Sequence, residues 1–121
     1  MSYTTFEYQG LEISPESSGP NGQFQISAEI KNTGNRAGSE VVQLYIRDKI
    51  STVVRPVKEL KGFSRLWLEP GESSRVSFTL SPDELKMLDK HLDWIVEPGE
   101  FAILLGSSSV DIRLEGTLRI N

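Results

Sequence analysis

Residues 24–31, Phe-Gln-Ile-Ser-Ala-Glu-Ile-Lys, decide the fold, because apolar and polar side chains alternate strictly along them. Successive side chains of a β-strand point to opposite faces, so this alternation predicts a strand with one buried and one solvated face. The next four residues, Asn-Thr-Gly-Asn at positions 32–35, favour a turn and end the strand.

The same period of two continues along the rest of the chain. Further strand candidates lie at residues 6–13, 40–48, 60–68, 76–80, 92–96, 101–105 and 112–120. Turn residues separate them, including two Glu-Pro-Gly-Glu sequences at 69–72 and 97–100. The first strand changes phase at Gly10, which predicts a β-bulge there. The whole pattern predicts an all-β fold, a two-sheet antiparallel sandwich of about seven or eight strands.

One short helical turn is predicted near residues 82–88. Ser81 suits the N-cap position, Pro82 suits the first helical position, and Glu84 completes a capping box. The sequence offers no longer helix for parallel crossover connections, which disfavours an α/β fold.

Length and charge limit the class of protein and its partners. A chain of 121 residues fits a single domain, 1–121. Its net charge of −4 argues against a nucleic-acid partner, and no apolar run approaches the roughly 20 residues of a membrane helix. The absence of cysteine excludes disulfides and thiol catalysis. The first residues lack the features of a signal peptide, and localisation stays undecided.

The residues that carry chemistry do not form a recognisable catalytic pattern. His91 is the only histidine, and its charged surroundings at 89–93 indicate a solvated turn residue rather than a member of a triad. Acidic pairs such as Glu97 and Glu100 flank turns, and no segment has the ligand spacing of a calcium loop. Residues 106–109, Gly-Ser-Ser-Ser, lack the lysine and helix of a phosphate loop. We therefore predict no catalytic residue, no cofactor and no metal ligand in this chain.

Two features favour a partner surface instead. Residues 54–63 mix apolar and basic side chains, which suits either a docking edge or a strand that switches sheets. In the strand at 60–68, inward Leu60, Leu66 and Leu68 would place a second set of side chains outward. That set is Phe63, Arg65 and Trp67, and exposed aromatic residues beside an arginine mark partner surfaces. The alternative is a bulge near Gly62 that returns Phe63 to the core.

An ordered set of motifs resembles one known family. The set comprises residues 2–8 (Ser-Tyr-Thr-Thr-Phe-Glu-Tyr), 32–34 (Asn-Thr-Gly), 37–45 (Ala-Gly-Ser-Glu-Val-Val-Gln-Leu-Tyr), 55–63 (Arg-Pro-Val-Lys-Glu-Leu-Lys-Gly-Phe), 68–72 (Leu-Glu-Pro-Gly-Glu), 94–101 (Trp-Ile-Val-Glu-Pro-Gly-Glu-Phe) and 106–109. In this order and spacing it resembles the fibronectin type III-like domain that ends many glycoside hydrolase family 3 enzymes, chiefly β-glucosidases and β-xylosidases. The resemblance covers essentially the whole chain.

The resemblance implies a fibronectin type III- or immunoglobulin-like sandwich that was cut from the C-terminus of a larger glycosidase. It implies that the catalytic aspartate and acid/base lie in upstream domains, so that this chain is a non-catalytic module packed on them and, as an isolated fragment, a monomer. Seven residues are the docking candidates: Arg55, Pro56, Lys58, Glu59, Leu60 and Phe63, which match the family motif, and Trp67, which rests on strand alternation alone.

Two other functions remain open from the sequence. A carbohydrate-binding module would use Trp67, Phe63 and Tyr45 as a platform of exposed rings. A cell-surface spacer or adhesion domain would share the Asn-Thr-Gly turn but would not need the 55–63 segment. A coplanar row of rings favours sugar binding, whereas a patch mixed with leucine, arginine and lysine favours docking to another domain.

Overall fold

A computed structural model describes residues 4–19, 21–48, 59–81, 87–88, 94–95 and 99–121. Within these residues every regular element is a β-strand, which confirms the predicted all-β class. The strands are β1 (Phe6–Ser14), β2 (Ser17–Ser18), β3 (Phe24–Asn32), β4 (Gly38–Asp48), β5 (Glu59–Leu68), β6 (Ser73–Leu80), β7 (Met87–Leu88), β8 (Trp94–Ile95), β9 (Gly99–Ser108) and β10 (Asp111–Ile120).

Two sheets form the sandwich. One has three strands in the order β1-β3-β6, and the other has five in the order β2-β10-β9-β4-β5. The long strands pair antiparallel, and the two-residue β2 pairs parallel with β10. A separate ribbon joins β7 and β8. The predicted two-sheet antiparallel sandwich is therefore confirmed.

The main core lies between the sheets. The alternating residues of β3 are buried on one face, with Phe24, Ile26 and Ile30 fully inaccessible to solvent. They meet the inward residues of the larger sheet, which are Val42, Leu44, Ile46, Phe101, Ile103, Leu105, Leu118 and Ile120. Because apolar burial contributes roughly 25 cal/mol per Å², this continuous cluster supplies most of the stabilisation of the domain.

The bulge predicted at Gly10 is confirmed. The pairing of β1 with β3 shifts between Gln9 and Glu12, and Gly10 has a φ of 67°, a conformation that residues with a Cβ rarely adopt. The extra residue restores the inward direction of Leu11 and Ile13, which pack against the core and reach Gly116 of β10.

Two other sequence predictions need correction. Met87 and Leu88 form strand β7, so they do not belong to the helical turn predicted near 82–88; residues 82–86 lie outside the described residues. Ile112 does not continue the inward row of Leu114 and Leu118, because the register of β10 against β9 shifts on both sides of it. Ile112 instead packs on the outer face of the larger sheet.

The turn predicted at residues 69–72 is present between β5 and β6. The Glu72 N–H donates to the Glu69 carbonyl at 2.9 Å, and Gly71 has a φ of 79°. A hydrogen bond from the fourth residue to the first and a positive φ at the third are the features of a type II turn. This tight turn holds the end of β5 close to the start of β6.

Candidate docking strand and polar cleft

Strand β5 carries the exposed aromatic residues predicted from the sequence. Across the ladder with β4, Phe63 lies opposite Gln43 and Trp67 lies opposite Ser39. The Phe63 side chain is 69% exposed and that of Trp67 is 64% exposed, with the exposed Arg65 between them. The prediction that these three residues point outward together is confirmed.

The inward position expected for Leu60 is wrong. The register of β4 with β5 shifts, so that Leu44 pairs with Gly62 and Tyr45 pairs with Leu60, which leaves Lys61 as the extra residue. Because the side-chain period is two, this shift turns Leu60 to the outer face, where it is 52% exposed. The bulge leaves Phe63 outside, so the alternative that returned it to the core is also wrong.

These four side chains form what we call the β5 patch: Leu60, Phe63, Arg65 and Trp67. β5 is the last strand of the five-stranded sheet, so one of its edges has no partner strand among the described residues. Exposed apolar edge strands invite pairing with other chains, and natural proteins usually cover them. The patch mixes leucine and arginine with the rings, which is the composition expected of a protein-docking surface.

The remaining docking candidates divide into two groups. Glu59 begins β5 and forms an ion pair with Lys61 at 3.0 Å, where its carboxylate is largely exposed. An exposed pair of this kind contributes little to stability. Arg55, Pro56 and Lys58 lie outside the described residues, as does His91.

A second apolar cluster lies on the outer face, beside the β5 patch. It consists of Tyr45, Ala102 and Leu104 with the half-buried Ile112, and we call it the outer cluster. Tyr45 is only 8% exposed, and its hydroxyl donates a hydrogen bond to Oε1 of Gln43. Tyr45 therefore cannot serve as an exposed ring in the sugar-binding platform considered from the sequence.

A polar cleft of about 300 Å³ opens at the end of the sandwich where β1 and β4 begin. Its lining consists of Thr4, Thr5, Phe6, Ser39, Glu40, Ser107 and Arg113. Ser39 is also the cross-strand neighbour of Trp67, so the cleft and the β5 patch adjoin each other through one residue pair.

Arg113 is held on one side of the cleft by three kinds of contact. Its Nε and Nη2 donate to the two carboxylate oxygens of Asp111 at 2.7 and 2.9 Å, and its Nη1 donates to the Phe6 carbonyl at 2.9 Å. The guanidinium also lies 5.3 Å from the ring centre of Tyr8, within the range of a cation–π interaction. These contacts join β10 to β1 across the sandwich.

The charges beside the cleft stabilise one another. Hydrogen bonds from Arg113 and then from Ser107 lower the pKa of Asp111 to about 2. The hydrogen bond with Asp111 raises the pKa of Arg113 above its ordinary value. Both groups are therefore ionised throughout the neutral range.

Tyr8 fixes the carboxylate of Glu40. The Tyr8 side chain is 7% exposed, and its hydroxyl donates to Oε2 of Glu40 at 3.0 Å. Burial, and then the charge and hydrogen bond of Glu40, raise the pKa of Tyr8, so the phenol remains protonated. Sequence reasoning missed this cleft, although a tyrosine at a core position of β1 signals that its hydroxyl needs a buried partner.

The described residues contain no group of three or more His, Cys, Asp or Glu side chains arranged to hold a metal ion. Within the same residues, no helix has the length and apolar character needed to cross a bilayer.

The fold is a fibronectin-like β-sandwich whose edge strand β5 carries exposed aromatic side chains. Comparison with protein-family models matches residues 40–109 to the fibronectin type III-like domain. The chain belongs to this family, and the resemblance found in the sequence is confirmed.

Two curated relatives are much longer proteins, and the chain matches only a small part of each. The chain is 46% identical over 114 residues to β-glucosidase BoGH3A of Bacteroides ovatus, covering 93% of this chain and 15% of that protein. It is 44% identical over 122 residues to thermostable β-glucosidase B of Acetivibrio thermocellus, covering 100% and 16%. The chain thus spans about one-sixth of the length of these relatives or less.

Solved structures agree with the sequence comparison. A β-glucosidase from Erythrobacter marinus matches with a TM-score of 0.90 at 40% identity, over 100% of this chain and 16% of that one. β-Glucosidase 3B from Thermotoga neapolitana, solved with α-D-glucose, matches with a TM-score of 0.88 at 37% identity over the same shares.

Proposed function

We propose that this domain is a non-catalytic structural module of a glycoside hydrolase family 3 enzyme, and that it packs on and stabilises the upstream catalytic domains of the same polypeptide. The relatives named as β-glucosidases, of which the chain matches 15–16%, support a parent that hydrolyses β-glycosidic bonds. In this proposal the reacting groups belong to the remaining five-sixths of the parent.

The observation that carries the docking role is the β5 patch. Leu60, Phe63 and Trp67 are all more than half exposed on one face of one edge strand. Interfaces between domains of one chain bury roughly 600–1,500 Å² and are more polar than obligate interfaces, so an arginine among the apolar side chains suits them. We propose that the patch is the face that the upstream domains cover.

The segment before β5 extends this surface in our proposal. Arg55, Pro56 and Lys58 directly precede Glu59 and Leu60 in the sequence, and they would place two further positive charges beside the patch. Carboxylates on the facing domain would complement Arg55, Lys58 and Arg65.

The test uses the complete polypeptide in which this chain occurs, together with the isolated domain. We expect the double substitution of Phe63→Ser with Trp67→Ser to lower the thermal inactivation temperature of the complete enzyme by several degrees. Limited proteolysis should also release the domain sooner. The isolated domain should show little change, because both side chains are already in water there.

A matched control is Val110→Ser, since Val110 is 93% exposed but lies in the turn between β9 and β10, away from the patch. It should leave the complete enzyme unchanged. Equal effects of the double substitution and the control on the complete enzyme would overturn the proposed docking face.

A further inference from the structure

We propose that the polar cleft binds a sugar ring, and that hydroxyl groups of the sugar form hydrogen bonds with Glu40 and Arg113. This site goes beyond the docking role, because it lies at the end of the sandwich and uses none of the four residues of the β5 patch. It also differs from a platform of exposed rings, because it works through hydrogen bonds.

The hydrogen-bond acceptor in the cleft is the Glu40 carboxylate, which is held in place through one of its two oxygen atoms. Oε2 of Glu40 accepts the Tyr8 hydroxyl, whereas Oε1 has no hydrogen-bond partner among the described residues. Because Tyr8 is buried in the core, it fixes the orientation of the carboxylate. A prearranged acceptor costs a ligand less ordering entropy than a mobile surface side chain does.

The donor is a guanidinium with spare N–H groups. Arginine has five N–H donors, and Arg113 uses three of them on Asp111 and Phe6. The other two have no partner in the part of the chain that the structure describes. Arg113 is itself rigid, because the planar ion pair with Asp111 and the Tyr8 ring hold it.

Two hydroxyl groups that line the cleft, those of Thr4 and Ser107, can accept a hydrogen bond from a ligand. Thr4 Oγ1 donates its proton to Oδ1 of Asn32 at 2.8 Å, and Ser107 Oγ donates its proton to Asp111. Each oxygen keeps lone pairs for a ligand. The cleft therefore combines a charged acceptor, a charged donor and neutral oxygen atoms.

This combination suits a polyol better than an anion. A hydroxyl group both donates and accepts, so sugar hydroxyls can donate to Glu40 and accept from Arg113. Because Asp111 already pairs with the positive charge of Arg113, the unpaired charge beside the cleft is that of Glu40, which opposes an anion. The volume of about 300 Å³ is at the lower end of the range for small-molecule sites, which suits a single sugar unit.

The experiment is a titration of the ¹⁵N-labelled domain with glucose and with cellobiose, followed by amide chemical shifts. We expect millimolar binding, with the shifts concentrated at Thr5, Phe6, Glu40 and Ser107. Glu40→Gln keeps one side-chain oxygen to accept the Tyr8 hydroxyl, but it replaces the second carboxylate oxygen by an NH2 group, which cannot accept a hydrogen bond. It should weaken binding at least about tenfold, since a charged hydrogen bond is lost.

Matched variants make the result decisive. Glu115→Gln removes an exposed carboxylate on β10 outside the cleft and should leave the dissociation constant unchanged. If Glu40→Gln fails to fold, Ser39→Val narrows the same cleft and should weaken binding. Absence of shifts up to about 100 mM sugar would overturn the proposal. So would binding that survives Glu40→Gln but is lost in Trp67→Ser, because that result assigns the sugar to the exposed ring.

Discussion

Asn32 is a buried polar residue at the end of β3, and its side-chain hydrogen bonds connect the segments that meet there. Its Nδ2 donates to the carbonyls of Arg36 and Leu68, at 2.8 and 2.9 Å, and its Oδ1 accepts from Thr4 and from the Gly34 N–H. The sequence indicated only a turn former at this position. The structure shows a side chain with no exposed surface that ties the turn at 33–37 to β5 and to the residues before β1.

We expect Asn32→Ala to lower the free energy of unfolding by at least about 2 kcal/mol, because it leaves buried carbonyl groups without a donor. Urea denaturation measures the loss. Asn35→Ala, at an exposed position in the same turn, is the control and should cost under about 0.5 kcal/mol. Similar losses at the two positions would contradict the role assigned to Asn32.

Asp111 makes a pH-dependent contribution to stability. Its pKa is about 2 in the folded domain against an ordinary 3.8, so the folded state favours the ionised form. A lowered pKa means that the stabilisation is fully present above about pH 4 and is lost as the pH falls toward 2. Below that range, both folded and unfolded states bind the proton.

We therefore expect the urea midpoint of the wild-type domain to fall more steeply between pH 4 and pH 2 than that of Asp111→Asn. The two proteins share every other carboxylate, so the difference between their profiles isolates Asp111. Parallel profiles over this range would show that the ion pair with Arg113 does not stabilise the folded state.

At the scale of elements, β3 and β5 differ in their outer faces. Both strands place apolar side chains in the core, including Ile30 of β3 and Leu68 of β5. The outer face of β3 carries polar side chains, whereas that of β5 presents Phe63 and Trp67 to solvent. β3 is also the central strand of its sheet, whereas β5 is at the edge of the other.

In the isolated domain we expect Phe63→Ser and Trp67→Ser each to cost under about 1 kcal/mol, because neither leaves a cavity. Ile30→Ala and Leu44→Ala should each cost about 2–5 kcal/mol, as deletions from a packed core do. Thermal melts of the four variants decide the matter. Equal losses at all four positions would mean that the β5 patch is buried in solution.

Local pattern was enough to predict the strands, the Gly10 bulge and the exposed side of β5, because each depends on neighbours within a few residues. It failed at Leu60 and Ile112, because register shifts against partner strands turn these residues to the outer face. The cleft also escaped prediction, because it depends on Phe6 and Arg113, which are 107 positions apart in the chain.

At the scale of the whole molecule, the two sheets depend on each other. Leu11 and Ile13 of β1 pack over Gly116 of β10, and Arg113 bonds to the Phe6 carbonyl. Neither sheet covers its own apolar face. A domain of this kind unfolds as one unit, because losing one sheet exposes the whole inner face of the other.

We expect tyrosine and tryptophan fluorescence and far-ultraviolet circular dichroism to report the same midpoint during urea unfolding of the isolated domain. The calorimetric and van't Hoff enthalpies should also agree. Separate midpoints would show that one sheet persists without the other, which would contradict a single shared core.

The pairing of β10 also has a consequence for synthesis on the ribosome. β10 lies between β9 and β2, supplies Leu118 and Ile120 to the interior, and is the last of the described strands in chain order. The nascent domain therefore cannot close until residue 120 has left the exit tunnel. Until then Phe24, Ile26 and Phe101 lack part of the apolar surface that covers them in the folded domain, which leaves the growing chain prone to aggregation.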